Sequence, residues 1–313
     1  IGRTPHMLQS GRQDAEFFHS MWGTLSRDKY WQGEILNRRK NGEVYPAWLT
    51  LSSVTDAAEQ VTHYVAAFSD ITLRKQADEK IHQLAFYDLL TKLPNRSLLR
   101  DRLQQAMAVG GRSQREGALL FIGLDNFKML NDTKGRDIGD LLLIEVAKRL
   151  QDCMRSSDTV ARLDGTVARL GGDEFVVMIN ELSKDAQQAA AQVHDVGERV
   201  LASINQPFNL QGFEHYSSAS IGISLFRGGE IGMEDLLKQA DIAMYQAKTS
   251  GRNTLRFFDP AMQTVLEIRA ELESELRQAL EKQQFRLHYQ IQVNSLRRPL
   301  GAEVLLRCEH PER

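Results

Sequence analysis

The strictest folding instruction in the chain lies between residues 166 and 179, where the apolar runs TVARL and FVVMI are separated by Gly171, Gly172, Asp173 and Glu174. Two runs of strand length around a Gly-Gly pair predict a tight antiparallel hairpin, 166–170 against 175–179, because glycine readily takes positive φ at both central positions of a type I′ turn. Such a turn lets a ligand approach backbone closely. Adjacent carboxylates there can hold a divalent metal ion and accept a proton. Alone, an acidic hairpin tip is more often a solvated turn, so its meaning depends on its surroundings.

Immediately upstream, residues 159–165 read TVARLDG, a near copy of TVARLGG at 166–172. Seven is odd, so sliding the pairing by one unit would exchange core and solvent faces of a period-two strand if the duplicated sequence did not restore them. Two registers are therefore open. Pairing through 166–170 keeps the Gly-Gly turn tight and loops out the first copy. Pairing through 159–163 places the acids on a tip seven residues longer. Loop-closure entropy favours the first.

The 313 residues suffice for about two domains. With 39 basic and 41 acidic side chains the net charge is −2, so no global field recommends nucleic acid or an anionic membrane, and any phosphate binding must be local. Cys153 and Cys308 lie far apart without CxxC spacing, which suits a reducing compartment, and no His/Cys metal cluster emerges. The longest apolar run, GALLFIGL at 117–124, is far short of the ~20 residues of a membrane span and reads as a buried strand. The first residue is Ile1 and the last segment is CEHPER, so the chain reads as a piece of a longer protein. A cytoplasmic location is expected for the piece, and the full-length protein could be membrane-attached.

Residues 29–70 carry strand alternation and a turn signal at Asn41-Gly42. From 72 to 86 the pattern becomes helical, with Ala77, Ile81 and Leu84 on one stripe and Asp70 placed to cap it. Such a helix either packs on its own domain or forms a dimeric lever. Residues 87–258 alternate strand (118–124, 166–170, 175–179, 216–225, 254–258) with helix (139–154, 184–204, 233–248), which predicts an α+β sheet covered by helices. Residues 266–285 read as an amphipathic helix leading into the strand RLHYQIQV.

Three family resemblances follow. The strands of 29–70, closing on Asp70-Ile71-Thr72, resemble the C-terminal half of a PAS sensor domain and IGRTPHMLQSGR at 1–12 resembles its helical middle, so 1–70 would be a partial PAS domain. Pro5 stands where the photoreceptor branch has its flavin-reactive cysteine, so that light chemistry is not expected. Residues 71–86 would be a linker helix. DLLTKLPNR, LDNFKMLNDTKGRDIGD, RLGGDEF, SIGIS and ADIAMYQAKTSGRN, in that order across 87–258, resemble the GGDEF family of diguanylate cyclases. That resemblance implies a palm-like nucleotidyl cyclase fold, a homodimer formed through this domain and the linker helix, and conversion of two GTP into cyclic di-GMP and pyrophosphate with Mg²⁺ or Mn²⁺. The 3′-hydroxyl of one GTP would attack the α-phosphorus of the other. Asn131 and Asp140 match the guanine-binding positions, although each could simply cap a helix. Lys128, Lys248 and Arg252 match phosphate contacts. Asp173 and Glu174 would be the metal-binding and base-like pair on the Gly171-Gly172 turn. No GxxxxGK[ST] loop occurs. Residues 259–313 resemble the opening of an EAL phosphodiesterase domain, with Glu303 at a metal-ligand position, Val304 for the motif alanine and Cys308 for a tryptophan. That segment alone cannot be a working phosphodiesterase.

The chain also departs from the GGDEF pattern. The metal-ligand aspartate expected eight residues before Asn131 is Gly123, which should weaken a near-octahedral Mg²⁺ site. Asp125 is about 6.6 Å further along the strand, a poor substitute. Arg136 replaces the histidine of GHxxGD. The family's inhibitory RxxD site, which binds product, would begin at Arg162, but its Asp position is Gly165; Arg155 and Asp158 have the right pattern seven residues upstream. Three functions are therefore expected to compete: an active cyclase, a GTP-binding regulatory module for an attached EAL domain, and a structural coupler.

Overall fold

The computed structural model describes residues 5–155, 165–260, 279, 282, 284–294 and 298–308. They form two compact units, Ile1–Leu89 and Leu90–Arg313.

In the first unit a 3₁₀ turn, Pro5–Leu8, precedes α1 (Ala15–Asp28), β1 (Tyr30–Arg38), β2 (Val44–Thr55), β3 (Val61–Asp70) and α2 (Thr72–Phe86). The strands form an antiparallel sheet in the order β1-β2-β3. Asp14 starts α1 by accepting a hydrogen bond from the Phe17 N–H. The helix buries Met21 and Leu25 against Leu51 of the sheet. The β1–β2 turn closes where Asn41-Gly42 predicts it, with the Gly42 N–H donating to Arg39 O at 3.0 Å. At the start of α2 the cap position is Ile71, without a side-chain bond. Asp70, one residue earlier, accepts from the Thr72 N–H at 2.9 Å and pairs with Arg39. Hydrogen bonds from Thr72 and Arg39 hold its carboxyl down at about 2. Ile81 and Leu84 are exposed, and α2 buries no residue.

The second unit contains α3 (Arg96–Ser113), β4 (Gly117–Leu124), α4 (Phe127–Lys134), α5 (Arg136–Arg155), β5 (Gly165–Gly171), β6 (Glu174–Ile179), α6 (Ala186–Ile204), β7 (Phe208–Leu210), β8 (Phe213–His215), β9 (Ala219–Phe226), α7 (Met233–Thr249) and β10 (Leu255–Phe257). Its main sheet has the order β10-β9-β4-β6-β5, with β4 antiparallel to both neighbours and β10 parallel to β9.

The unbroken apolar run of β4 is explained by burial on both faces. Leu120, Ile122 and Leu124 join the core beneath α5 and α6, while Leu119 and Phe121 join the core beneath α3 and α7. Burying one such side chain stabilises by about 1.5–3 kcal/mol. The expected helix over 139–154 begins at Arg136, and α4 stands before it as a separate helix.

The second copy of the repeat forms the hairpin. Val167 faces Val177, Ala168 faces Val176 and Arg169 faces Phe175, the register favoured by the shorter turn. The turn itself differs from expectation. Leu170 bulges, Gly171 pairs with Glu174, and the two central residues are Gly172 and Asp173. Of these only Gly172, at φ +52°, is left-handed, so the type I′ geometry predicted for Gly171-Gly172 is replaced by a turn with positive φ at its first centre. The bulge moves the turn one residue along and turns Asp173 out of the ladder. All of the first copy except its last residue, Gly165, lies outside the described residues, as does Asp158.

Strands β11 (Phe285–Val293) and β12 (Pro299–Cys308) pair antiparallel, with Gln290 opposite Glu303, which is exposed. The helix expected over 266–285 falls largely outside the described residues.

Candidate functional site

The acidic turn is held by bonds to its own backbone. The Leu124 N–H donates to Asp173 O at 3.2 Å, tying the tip to the end of β4. The Arg169 guanidinium donates to Gly172 O at 2.8 Å. Glu174 then stands directly opposite Gly123 across the β4–β6 ladder, and Gly123 faces Ser220 on its other side.

Helix α7 crosses this sheet at close range because Gly222 of SIGIS has no side chain. A Cβ there would fall 2.0 Å from Ala240 O and 2.1 Å from Met244 N. The approach brings Asp241, Met244 and Lys248, at helical spacing i, i+3 and i+7, to the site. Lys248 Nζ lies 3.5 Å from Asp173 Oδ2, and both side chains are about one-third exposed. A Cβ built on Gly123 would fall 2.6 Å from Lys248 Nζ, 2.7 Å from its Cε and 2.9 Å from Met244 Sδ. The lysine therefore occupies the space into which any side chain at position 123 would project.

The surrounding charges act on one another. Burial pushes the Glu174 carboxyl upward, and Asp241 and Asp173 add to the rise, against Lys248 and Arg96. Asp241 stands at the rim with much of its surface in water. Partial burial raises its carboxyl too, again against Lys248 and Arg96. Neither Asp241 nor Arg96 is among the residues that the sequence motifs assign a role. The helical spacing of 241, 244 and 248 carried a signal for the first. Arg96 begins α3 as the last residue of the DLLTKLPNR motif, which marked the segment without giving the arginine a role.

Asp125 is engaged elsewhere. One carboxylate oxygen accepts from Ser220 Oγ at 2.8 Å, the other from Ser218 Oγ at 2.7 Å and from the Asn253 N–H at 3.1 Å. It is 6% exposed and fastens β4, β9 and the loop carrying Arg252, so it has no oxygen to offer at Gly123's position. Asp125→Ala would leave two hydroxyls and an amide without their acceptor and is expected to cost about 3 kcal/mol of stability, read by urea titration.

Among the described residues no three His, Cys, Asp or Glu side chains converge as a cation cage. Asp173 and Glu174 supply two carboxylates, Gly123 supplies none, and an ammonium already faces Asp173. This donor set does not fit Mg²⁺, which demands near-octahedral oxygen coordination.

The nucleotide-side candidates sit on the elements that follow β4. Lys128 is exposed in the first turn of α4, and Asn131 lies one turn further along the same face. The Asn131 amide oxygen is buried without a hydrogen-bond partner, so its side chain caps nothing. It points at Gly139, where a Cβ would fall 2.0 Å away, and the exposed Asp140 is the next residue. A buried acceptor without a donor costs about 1–3 kcal/mol. Arg252 is exposed in a left-handed conformation, φ +63°, in the loop after α7. Arg155 is the last residue of α5, and its proposed partner Asp158 is outside the described residues. Glu303 belongs to the β11–β12 hairpin rather than to the elements of this site.

Comparison with known proteins places these elements in context. The chain is 44% identical over 238 residues to the bifunctional diguanylate cyclase/cyclic di-GMP phosphodiesterase MucR of Pseudomonas aeruginosa, a match covering 76% of this chain and 33% of MucR. It is 34% identical over 250 residues to the cyclic di-GMP phosphodiesterase PdeR of Escherichia coli, covering 80% of this chain and 35% of PdeR. The chain thus spans about a third of the length of these relatives. Among solved structures, the isolated GGDEF domain of TpbB (YfiN) from Pseudomonas aeruginosa superposes with a TM-score of 0.51 at 34% identity, covering 58% of this chain and 99% of that one. No described helix is long and apolar enough to cross a membrane. Residues 85–254, more than half of the chain and all of the elements that build the acidic turn and its surroundings, match the model of the diguanylate cyclase GGDEF domain, and the chain belongs to that family.

Proposed function

We propose that residues 87–258 form a GTP-binding regulatory module in cyclic di-GMP signalling, in which nucleotidyl transfer is slow. The supporting observation is the pair formed by Gly123 and Lys248. The strand position expected to carry a metal-ligand carboxylate is bare, and a lysine ammonium lies over it, 3.5 Å from Asp173. The module would still recognise guanine. The half-buried Asn131 amide, which has no hydrogen-bond partner on its oxygen, and the exposed Asp140 carboxylate would turn to a purine edge. Lys128 and Arg252 would neutralise phosphate. Within this reading Asp173 and Glu174 orient and exclude rather than catalyse rapidly.

Residues 1–70 are proposed as part of a PAS-type sensor, and 259–313 as the start of an EAL domain whose activity GTP occupancy would bias. MucR, named as both cyclase and phosphodiesterase, supports that pairing. The exposed Ile81 and Leu84 of α2 support a homodimer through the linker helix. Guanine specificity tests the module directly. In a binding titration GTP should outcompete ATP, and Asn131→Ala should weaken GTP by about 10- to 100-fold while leaving ATP nearly unchanged. Equal affinity for the two nucleotides would overturn the assignment.

A further inference from the structure

We propose that Lys248 is a built-in counter-ion at this site, so that the chain binds a guanine nucleoside triphosphate without a divalent metal ion. The inference rests on the GTP-binding reading and deepens it by naming what neutralises the acids. A site with carboxylates at positions 123, 173 and 174 would concentrate three negative charges and need a divalent cation before it could admit a polyphosphate. Here one of the three is absent, and its space is taken by the end of the Lys248 side chain, Cε and Nζ, with Met244 Sδ beside them. The backbone that carries the lysine is placed by packing. Gly222 lets α7 lie against β9 at backbone contact, which carries Lys248 over Gly123 and to Asp173.

A single positive charge tethered among Asp173, Glu174 and Asp241 balances part of their field and costs no ion-binding entropy. Met244, 5% exposed, brings its sulfur to the same space beside Gly123 and offers a thioether, a poor ligand for a hard cation. The balance of charges makes the same point. Replacing a carboxylate by glycine makes the local charge less negative by one unit, half of what one bound Mg²⁺ would supply, and the Lys248 ammonium stands against the acids that remain.

The test is calorimetric titration of the whole chain with GTP, in excess Mg²⁺ and in EDTA. For the unsubstituted chain the two affinities should agree within about threefold. Gly123→Asp displaces the ammonium and restores the third carboxylate, so its GTP affinity should fall by at least about tenfold when Mg²⁺ is replaced by EDTA. Lys248→Met, which keeps the apolar stem, should lose about tenfold in EDTA. Lys248→Arg, which keeps the charge, should retain most of that binding, so loss of folding in the Met variant would not obscure the result. Paramagnetic titration with Mn²⁺ alone should show no ion bound to the unsubstituted chain and one bound to Gly123→Asp. GTP binding by the unsubstituted chain only when Mg²⁺ is present would overturn the counter-ion proposal and leave the GTP-binding reading standing. No GTP binding in either medium would overturn both.

Discussion

Gly123→Asp should raise formation of cyclic di-GMP from GTP by at least about tenfold over the unsubstituted chain, in the presence of Mg²⁺ or Mn²⁺. The substitution is sterically accessible. The atoms that a new Cβ would meet within 3 Å are the end of a lysine and a methionine sulfur, both of which can swing aside. The new carboxylate would stand opposite Glu174 and compete with Asp173 for Lys248. Stability should change little because the backbone at position 123 is ordinary extended strand in the centre of the sheet. A chromatographic assay of product checks the expectation. A variant that folds, binds GTP and makes no more product than its parent would show that Gly123 is not what limits transfer.

Gly222→Ala should have the opposite character, a large structural loss from one methyl group. Its Cβ would meet Ala240 O at 2.0 Å and Met244 N at 2.1 Å, both backbone atoms of α7 that cannot rotate away. The helix must lift from β9 or the strand must shift, at a cost of about 3 kcal/mol or more. Lifting α7 also withdraws Lys248 from Asp173, so GTP affinity should fall together with the urea midpoint. Gly229→Ala is the control. Its Cβ meets nothing within 4 Å, and its effect should stay within about 0.5 kcal/mol. If both variants unfold at the same urea concentration, the close approach of α7 is not a structural requirement.

Several of these features were readable from sequence because one physical signal dominated each. The β4 strand announces its two buried faces as an unbroken apolar run. The register of β5 against β6 follows from alternation and from the shorter of two possible turns. The turn centre was misplaced by one residue because a bulge at Leu170 depends on how the tip is tied to β4, and no local propensity encodes that bond. Helix α3 was missed. Half of its residues are polar, and it holds Gly110 and Gly111, ordinarily breakers. The structure uses Gly111 for a close approach to Gly228, where an added Cβ would come within 2.7 Å of Gly111 Cα.

The site divides in the same way. Gly123 was visible as a gap in a pattern of spaced residues, and Lys248 as a basic residue at the end of a helix. Their meeting was not visible, because it depends on how α7 lies across the sheet. Asp125 is the complementary case. Its spacing only made it a poor replacement for the missing ligand, whereas its three donors show a carboxylate that already fastens β4, β9 and the Arg252 loop.

The most direct measurement of the central claim is a single experiment on the unsubstituted chain, GTP binding and cyclic di-GMP formation followed in the same samples over a range of GTP concentrations with Mg²⁺. Saturable GTP binding, with product formation at least about tenfold below that of Gly123→Asp at every concentration, is the predicted result. Product formation by the unsubstituted chain that matches or exceeds the Gly123→Asp variant, or the absence of saturable GTP binding, would contradict it.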